Sequence, residues 1–296
     1  MIETVEALKS RPAEHAYLIC IDSDGCAFDT MEVKHKECFI PNTIRYWGLQ
    51  PIAKYAREAA EFVNLYSKWR GENRFPALIR TFDLLASHPK VLARRFTLPK
   101  ATALREWIAA ESKLGNPALE KYCAEHPAED LQIALQWSKA INASVDEIVQ
   151  GGLPPFPYVR EFLEAAAPRA DLMVCSQTPS AALRREWQEQ GVAQHLFCIA
   201  GQEMGKKSEH IAYASAGRFD PNRILMIGDA PGDHEAAKKN GACFFPIMPG
   251  SEDESWKALY EEGLGRFLDG TFRGDYQDAL LRRFESCLPE RPPWQA

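Results

Sequence analysis

The stretch Tyr17–Thr30 reads YLICIDSDGCAFDT. Its first five residues are apolar without alternation, the pattern of a short strand buried on both faces. Two carboxylates, Asp22 and Asp24, follow at once. Clustered anions repel, so this pair at the end of a buried strand costs energy unless a cation or a proton intervenes. Open parallel sheets gather their ligands at the carboxyl ends of the strands, which is where this pair falls.

Similar apolar runs recur at Leu172–Cys175, Leu196–Ala200, Ile224–Ile227 and Ala242–Phe245. Helical patterns lie between them: Val159, Phe162, Leu163 and Ala166 share one face, and Asp233–Asn240 ends at Gly241, a plausible stop glycine. Strand–helix alternation of this kind predicts an α/β fold with a doubly wound parallel sheet. The alternation is interrupted. From Met31 to Gly152 the spacing predicts helices only, over Met31–Trp47, Ile52–Trp69, Ala77–Ser87, Ala101–Ser112 and Ala128–Gln150. The glycines and prolines of 151–157 then return the chain to the sheet. The expected organisation is a discontinuous core (1–30 and 153–250), an inserted helical domain (31–152) and a helical extension (251–296) packed on the core or serving as a dimer contact.

At 296 residues, 46% hydrophobic and 26% charged, the chain has the composition of a globular protein, which excludes low-complexity and collagen-like readings. It contains no apolar run long enough for a membrane span. The opening residues MIETVEALKSRP do not resemble a secretory signal. Eight cysteines without CxxC or zinc-like spacing read as reduced thiols, so a cytoplasmic location is expected. The net charge of −6 argues against a nucleic-acid grip. That mean conceals a division: residues 31–155 hold 17 basic and 14 acidic side chains, and the remainder 18 and 27. Residues 68–105 alone hold nine basic and two acidic ones, either a solvated helix face or a surface for an anionic substrate.

Each later strand is also followed by chemistry. Ser176-Gln177-Thr178 offers hydroxyls and backbone N–H groups to an anion. Lys206-Lys207 opens the helix after the third apolar run, and Gly228-Asp229-Ala230-Pro231-Gly232-Asp233 adds two further acids. Converging carboxylates make an oxygen-rich site that suits Mg²⁺ completed by water and a phosphate.

This ordered set resembles the haloacid dehalogenase-like hydrolase superfamily. Asp22–Thr30 is similar to its first motif, Ser176 to the second, Lys206 or Lys207 to the third, and GDAPGD at 228–233 to the fourth. Residues 153–165 resemble the segment preceding the second motif. The resemblance covers roughly residues 16–30 and 153–248 and implies a Rossmann-like core. It also implies roles. Asp22 is the nucleophile that forms an aspartyl-phosphate, and Asp24 the general acid and base. Ser176 holds a phosphoryl oxygen, and the motif lysine, preferably Lys207, offsets negative charge. Mg²⁺ is held by Asp22, the backbone carbonyl of Asp24, Asp229 and, directly or through water, Asp233. Cys26 and Gln177 depart from the usual Thr and Asn; Gln177 is expected near the substrate.

The presence of both Asp22 and Asp24 favours Mg²⁺-dependent hydrolysis of a phosphomonoester over dehalogenation, with a phosphomutase or a non-catalytic phosphate-binding protein as alternatives. The insert resembles a helical cap, which suits a small phosphorylated substrate, with Arg70 and Arg74 as contacts to its far end. A homodimer is compatible with this reading; nucleic-acid and membrane partners are not expected.

Overall fold

The computed structural model describes residues 1–149 and 152–295. The expected helix end at Gln150 and the break at Gly151 lie outside them. The chain forms two compact units: Met1–Met31 with Gly151–Cys287, and Glu32–Gln150 with Leu288–Ala296.

The first unit is built on a five-stranded sheet in the order β3-β2-β1-β4-β5. Its strands are β1 (Leu18–Ile21), β2 (Asp171–Cys175), β3 (Cys198–Ala200), β4 (Ile224–Gly228) and β5 (Cys243–Pro246), and every pairing is parallel. All strand residues are buried, which accounts for the apolar character of the strands apart from Asp171 at the start of β2. Burying a side chain such as Leu18, Ile19 or Ile21 stabilises the fold by roughly 1.5–3 kcal/mol. Because β1 pairs with both β2 and β4, Ile21 lies level with Val174 on one side and Ile227 on the other. The residues that follow these three strands are therefore delivered to one end of the sheet, the carboxyl end of its parallel strands. Helices Val159–Ala166, Ser180–Glu189, Lys207–Ser215 and Pro231–Lys239 lie between the strands in sequence. The doubly wound α/β class expected from sequence is the one observed.

Residues beyond the last strand divide at Cys287. The helix Asp275–Cys287 belongs to the sheet unit, where Gln277 Oε1 accepts the Phe244 N–H at 3.0 Å and Phe284 packs on Phe244. The following tail does not. Its Trp294 ring lies 5.0 Å from His88 and 6.0 Å from Phe62, Lys68 pairs with Glu290, and Gln295 donates to Ser87. The expectation that all of 251–296 packs on the core is thus corrected for residues 288–295: the apolar surface that receives Trp294 belongs to the helical unit.

That helical unit has its own core, including Trp107, Trp137, Phe75 and Phe82. It contains two helices not anticipated from the sequence, Pro89–Ala93 and Asn116–Glu125. Each buries too few residues to leave a periodic signature: Val91 in the first, Leu119 and Cys123 in the second. The first expected helix is interrupted by a π-helical turn at Lys34–Phe39. Among the described residues no helix is long and apolar enough to cross a membrane.

One ion-pair network ties the N-terminal segment to the sheet. Asp171, buried at the start of β2, accepts from Arg11 Nη1 at 2.9 Å, Arg11 Nη2 at 3.2 Å and the Glu14 N–H at 3.1 Å, and it contacts His15 at 3.0 Å. Burial alone would raise the carboxyl pKa, but these partners lower it below the usual value. A depressed carboxylate contributes stability that is full above about pH 4, the unfolded value, and is lost as pH falls through the folded one. Asp171→Asn is expected to cost about 3 kcal/mol at neutral pH in denaturant titrations, with the deficit closing at acidic pH. A deficit independent of pH would show that packing rather than charge carries the contact.

Candidate active site

The loop after β1 is shaped by its own turn. The Ser23 carbonyl accepts from the N–H groups of Cys26, Ala27 and Phe28, and Gly25 takes the left-handed φ of 74° that this turn requires. Two buried indoles hold it from outside: Trp187 Nε1 donates to Ser23 Oγ at 2.9 Å, and Trp256 Nε1 to the Cys26 carbonyl at 2.7 Å. Asp22 is fixed by its N–H on the Ile227 carbonyl at 2.9 Å. The loop is therefore held by hydrogen bonds to the sheet and to two buried indoles.

Asp22, Asp229 and Asp233 converge, each offering a carboxylate oxygen within 4.8 Å of the others, and all three are buried. Lys207 enters from the start of its helix, and Nζ donates to Asp22 Oδ2 at 2.8 Å and to Asp233 Oδ1 at 2.6 Å. Lys206 instead caps that helix, its N–H on Glu209 Oε2 at 2.7 Å. The geometry therefore brings Lys207, not Lys206, to the acids. Asp233 is held by its second oxygen as well, which accepts the Ala230 N–H at 3.1 Å.

Burial pushes the Asp22 carboxyl well above its ordinary pKa; Lys207 opposes that rise, and Asp233 and Asp229 add to it. For Lys207, burial pulls the other way, but the two carboxylates beside it win and the ammonium is held well above its ordinary value. Among the described contacts three carboxylates gather around a single ammonium, which pairs with two of them. An all-oxygen donor set of this kind fits a hard divalent cation such as Mg²⁺.

Asp24 does not join this cluster through its carboxylate. Thr30 Oγ1 donates to its Oδ1 and Thr178 Oγ1 to its Oδ2, the latter at 2.6 Å. Ser176 follows β2 with its N–H on the Ala200 carbonyl at 3.0 Å, and its Oγ accepts the Thr178 N–H at 3.1 Å. Gln177, expected near the substrate, directs its amide nitrogen to the carbonyls of Ser176 at 3.2 Å and Gly205 at 3.0 Å, tying two loops together.

Arg70 and Arg74 lie in the helical unit. Arg70 is buried with Nη1 on the Leu65 carbonyl at 2.9 Å. Arg74 Nη1 donates to the Ser138 carbonyl, Ser138 Oγ and Asn142 Oδ1, and its guanidinium lies over the Phe39 ring. With burial as the cause, its pKa is lowered to about 10. These contacts make both arginines packing elements of their own unit, a use the run of basic residues in the sequence does not disclose.

The cysteines are all free, and seven of the eight are buried. Burial holds Cys26 and Cys175 well above the usual thiol value, so they behave as small apolar side chains. His210 is fully buried beside Cys175, and His234 stacks on Phe244, so both are packing residues.

The roles of four residues at the site escaped the sequence reading. Thr30 and Thr178 hold Asp24. Glu203 accepts from the Ser180 N–H at 3.0 Å and Ser180 Oγ at 2.7 Å, fixing the loop after β2. Gly228, at the end of β4, lies against Asp233 so closely that a Cβ would overlap the aspartate. A hydroxyl's or a carboxylate's partner across the chain leaves no mark on local spacing.

No protein-family model and no curated protein sequence matches the chain. Among solved structures it is similar to a haloacid dehalogenase-like family hydrolase from Streptococcus pneumoniae, at 14% identity and a TM-score of 0.47, covering 85% of this chain and 98% of that one. It is also similar to a β-phosphoglucomutase from Clostridium difficile, at 13% identity and a TM-score of 0.49, covering 87% and 99%. A haloacid dehalogenase-superfamily hydrolase from Geobacter sulfurreducens gives 16% identity and a TM-score of 0.42, covering 80% and 90%. These are likenesses of chain path at low identity; the functional reading rests on the side chains of this protein.

Proposed function

We propose that the protein is a Mg²⁺-dependent phosphomonoester hydrolase of the haloacid dehalogenase-like type, acting on a small phosphorylated substrate. The observation that supports this most is the buried set Asp22, Asp229 and Asp233, with the partly buried Lys207, beside a separately held Asp24. Asp22, Asp229, Asp233 and the Asp24 carbonyl would hold the ion. Bound there, Mg²⁺ would neutralise carboxylate charge and draw a phosphoryl oxygen into the site.

In this reading an Asp22 carboxylate oxygen attacks phosphorus while the bond to the leaving oxygen breaks. Asp24 delivers a proton to that oxygen, so an alcohol departs and an aspartyl-phosphate remains on Asp22. Asp24, now ionised, takes a proton from water as the water oxygen attacks phosphorus, releasing inorganic phosphate and restoring both acids. Ser176 would hold a phosphoryl oxygen through its hydroxyl hydrogen, and Lys207 would offset the charge shared by Asp22 and the phosphate. Gln177 is proposed to act by setting the loop beside Ser176, and Arg70 and Arg74 by packing the helical unit to which they belong. The proposed setting is cytoplasmic, without nucleic-acid or membrane partners, and compatible with a homodimer.

The test is phosphate release from a panel of phosphorylated metabolites. Activity is expected with Mg²⁺, a loss of at least about 100-fold in EDTA, and recovery when Mg²⁺ is restored. Turnover that persists in EDTA would overturn the metal role. Conversion of one sugar phosphate to its isomer without net phosphate release would replace hydrolase by phosphomutase.

A further inference from the structure

Asp24 is gripped at both oxygens. Thr30, six residues on in the same loop, donates to one; Thr178, from the loop after β2, donates to the other at 2.6 Å. Thr30 comes with the loop. Thr178 has to be brought there, and the structure shows what brings it. Its N–H is turned onto Ser176 Oγ, and its carbonyl accepts the Gln202 N–H at 3.1 Å. Gly201 makes room for that approach: a Cβ there would lie 2.5 Å from the Thr178 carbonyl oxygen and 2.6 Å from the Ser180 nitrogen. Glu203 closes the clamp by accepting from both the backbone and the hydroxyl of Ser180. The loop is thus anchored to the end of β3, which fixes where the Thr178 hydroxyl points.

We infer that Thr178 is a positioning residue for the proton-transferring carboxylate, holding Asp24 in the orientation from which it serves the leaving group. The inference rests on the hydrolase reading above. A hydroxyl suits the task chemically, because it donates to an ionised carboxylate and can rotate to accept from a protonated one. The two threonines reach the two oxygens of Asp24 from different segments of the chain, so the carboxyl group is held from both sides. On protonation one oxygen becomes a donor, and the threonine facing it turns to accept. An amide N–H in the same place could do only the first.

The consequence is a dependence on the leaving group. An alkoxide cannot leave without a proton, whereas p-nitrophenolate leaves as a stable anion. The ratio kcat/KM reports the steps up to loss of the leaving group, so it isolates this half of the reaction. The experiment measures kcat/KM for an alkyl phosphate and for p-nitrophenyl phosphate with wild-type protein, Thr178→Val and Thr178→Ser. General-acid assistance contributes about 10²–10⁴-fold. Thr178→Val is therefore expected to lower the alkyl ester at least about tenfold further than the nitrophenyl ester. Thr178→Ser, which keeps the hydroxyl, should restore the wild-type ratio between the two. Equal losses on both esters, or a loss that Ser does not restore, would overturn the positioning role while leaving the hydrolase reading in place. A wild-type protein that cleaves neither ester would defeat that reading and this inference with it.

Discussion

Asp22→Asn is expected to abolish turnover and, at the same time, to stabilise the metal-free protein. The amide cannot attack phosphorus, and losing a nucleophile of this kind costs on the order of 10⁴–10⁶ in kcat. The effect on stability has the opposite sign. Asp22 is buried beside Asp233 and Asp229, and even with Lys207 at 2.8 Å its carboxyl is held well above the ordinary value. Its native state therefore binds more protons than the unfolded chain as pH rises above about 4. Stability consequently falls with rising pH until the folded pKa is passed. The Asn variant lacks this slope, and a gain on the order of 1 kcal/mol is expected at neutral pH in EDTA. Thermal melts across pH, with and without Mg²⁺, check both signs. A variant less stable than wild type in EDTA would mean that the Asp22–Lys207 contact outweighs the repulsion among the acids.

Gly228→Ala is expected to damage the site although it removes no functional atom. The new methyl would overlap Asp233 at Cβ, Cγ and Oδ2. Asp233 has nowhere to retreat, since one oxygen is on Lys207 and the other on the Ala230 N–H. Moving it pulls a carboxylate out of the metal cluster and loosens the ammonium that faces Asp22. Losses of about 10–100-fold in Mg²⁺ affinity are typical when groups supporting a metal site are displaced, and a comparable fall in kcat/KM is expected. A Mg²⁺ activation titration reads the first, and circular dichroism shows whether the sheet survives the overpacking, which costs about 1–3 kcal/mol. Wild-type Mg²⁺ dependence in the variant would show that the strand end yields more readily than its packing indicates.

The readable parts of this protein are those in which neighbours along the chain do the work. The five apolar runs became the five strands because burial on both faces demands uninterrupted apolar sequence. The acids at 22, 24, 229 and 233 were conspicuous because carboxylates at strand ends need a cation or a role. Lys207 was legible as the preferred one of two adjacent lysines; which of them turns inward depends on the phase of a helix start. Arg70 and Arg74 misled as surface charge, since nothing local reveals that their partners are the Leu65 carbonyl and, 64 and 68 residues away, Ser138 and Asn142. Trp294 gave no hint of its place on the helical unit, because a lone aromatic in a proline-rich tail has no periodicity to read.

Taken alone, then, the sequence determined the α/β class, the interruption of the sheet by a helical insert, and the identity of the acids, because each is encoded in runs and spacings a few residues long. Tertiary structure alone decided which lysine faces Asp22, that Thr178 reaches Asp24 across 154 residues, and that the strand end beside Asp233 has room only for glycine. Those are distances between segments that meet only when the sheet assembles, and proximity in space is not a property of any one segment.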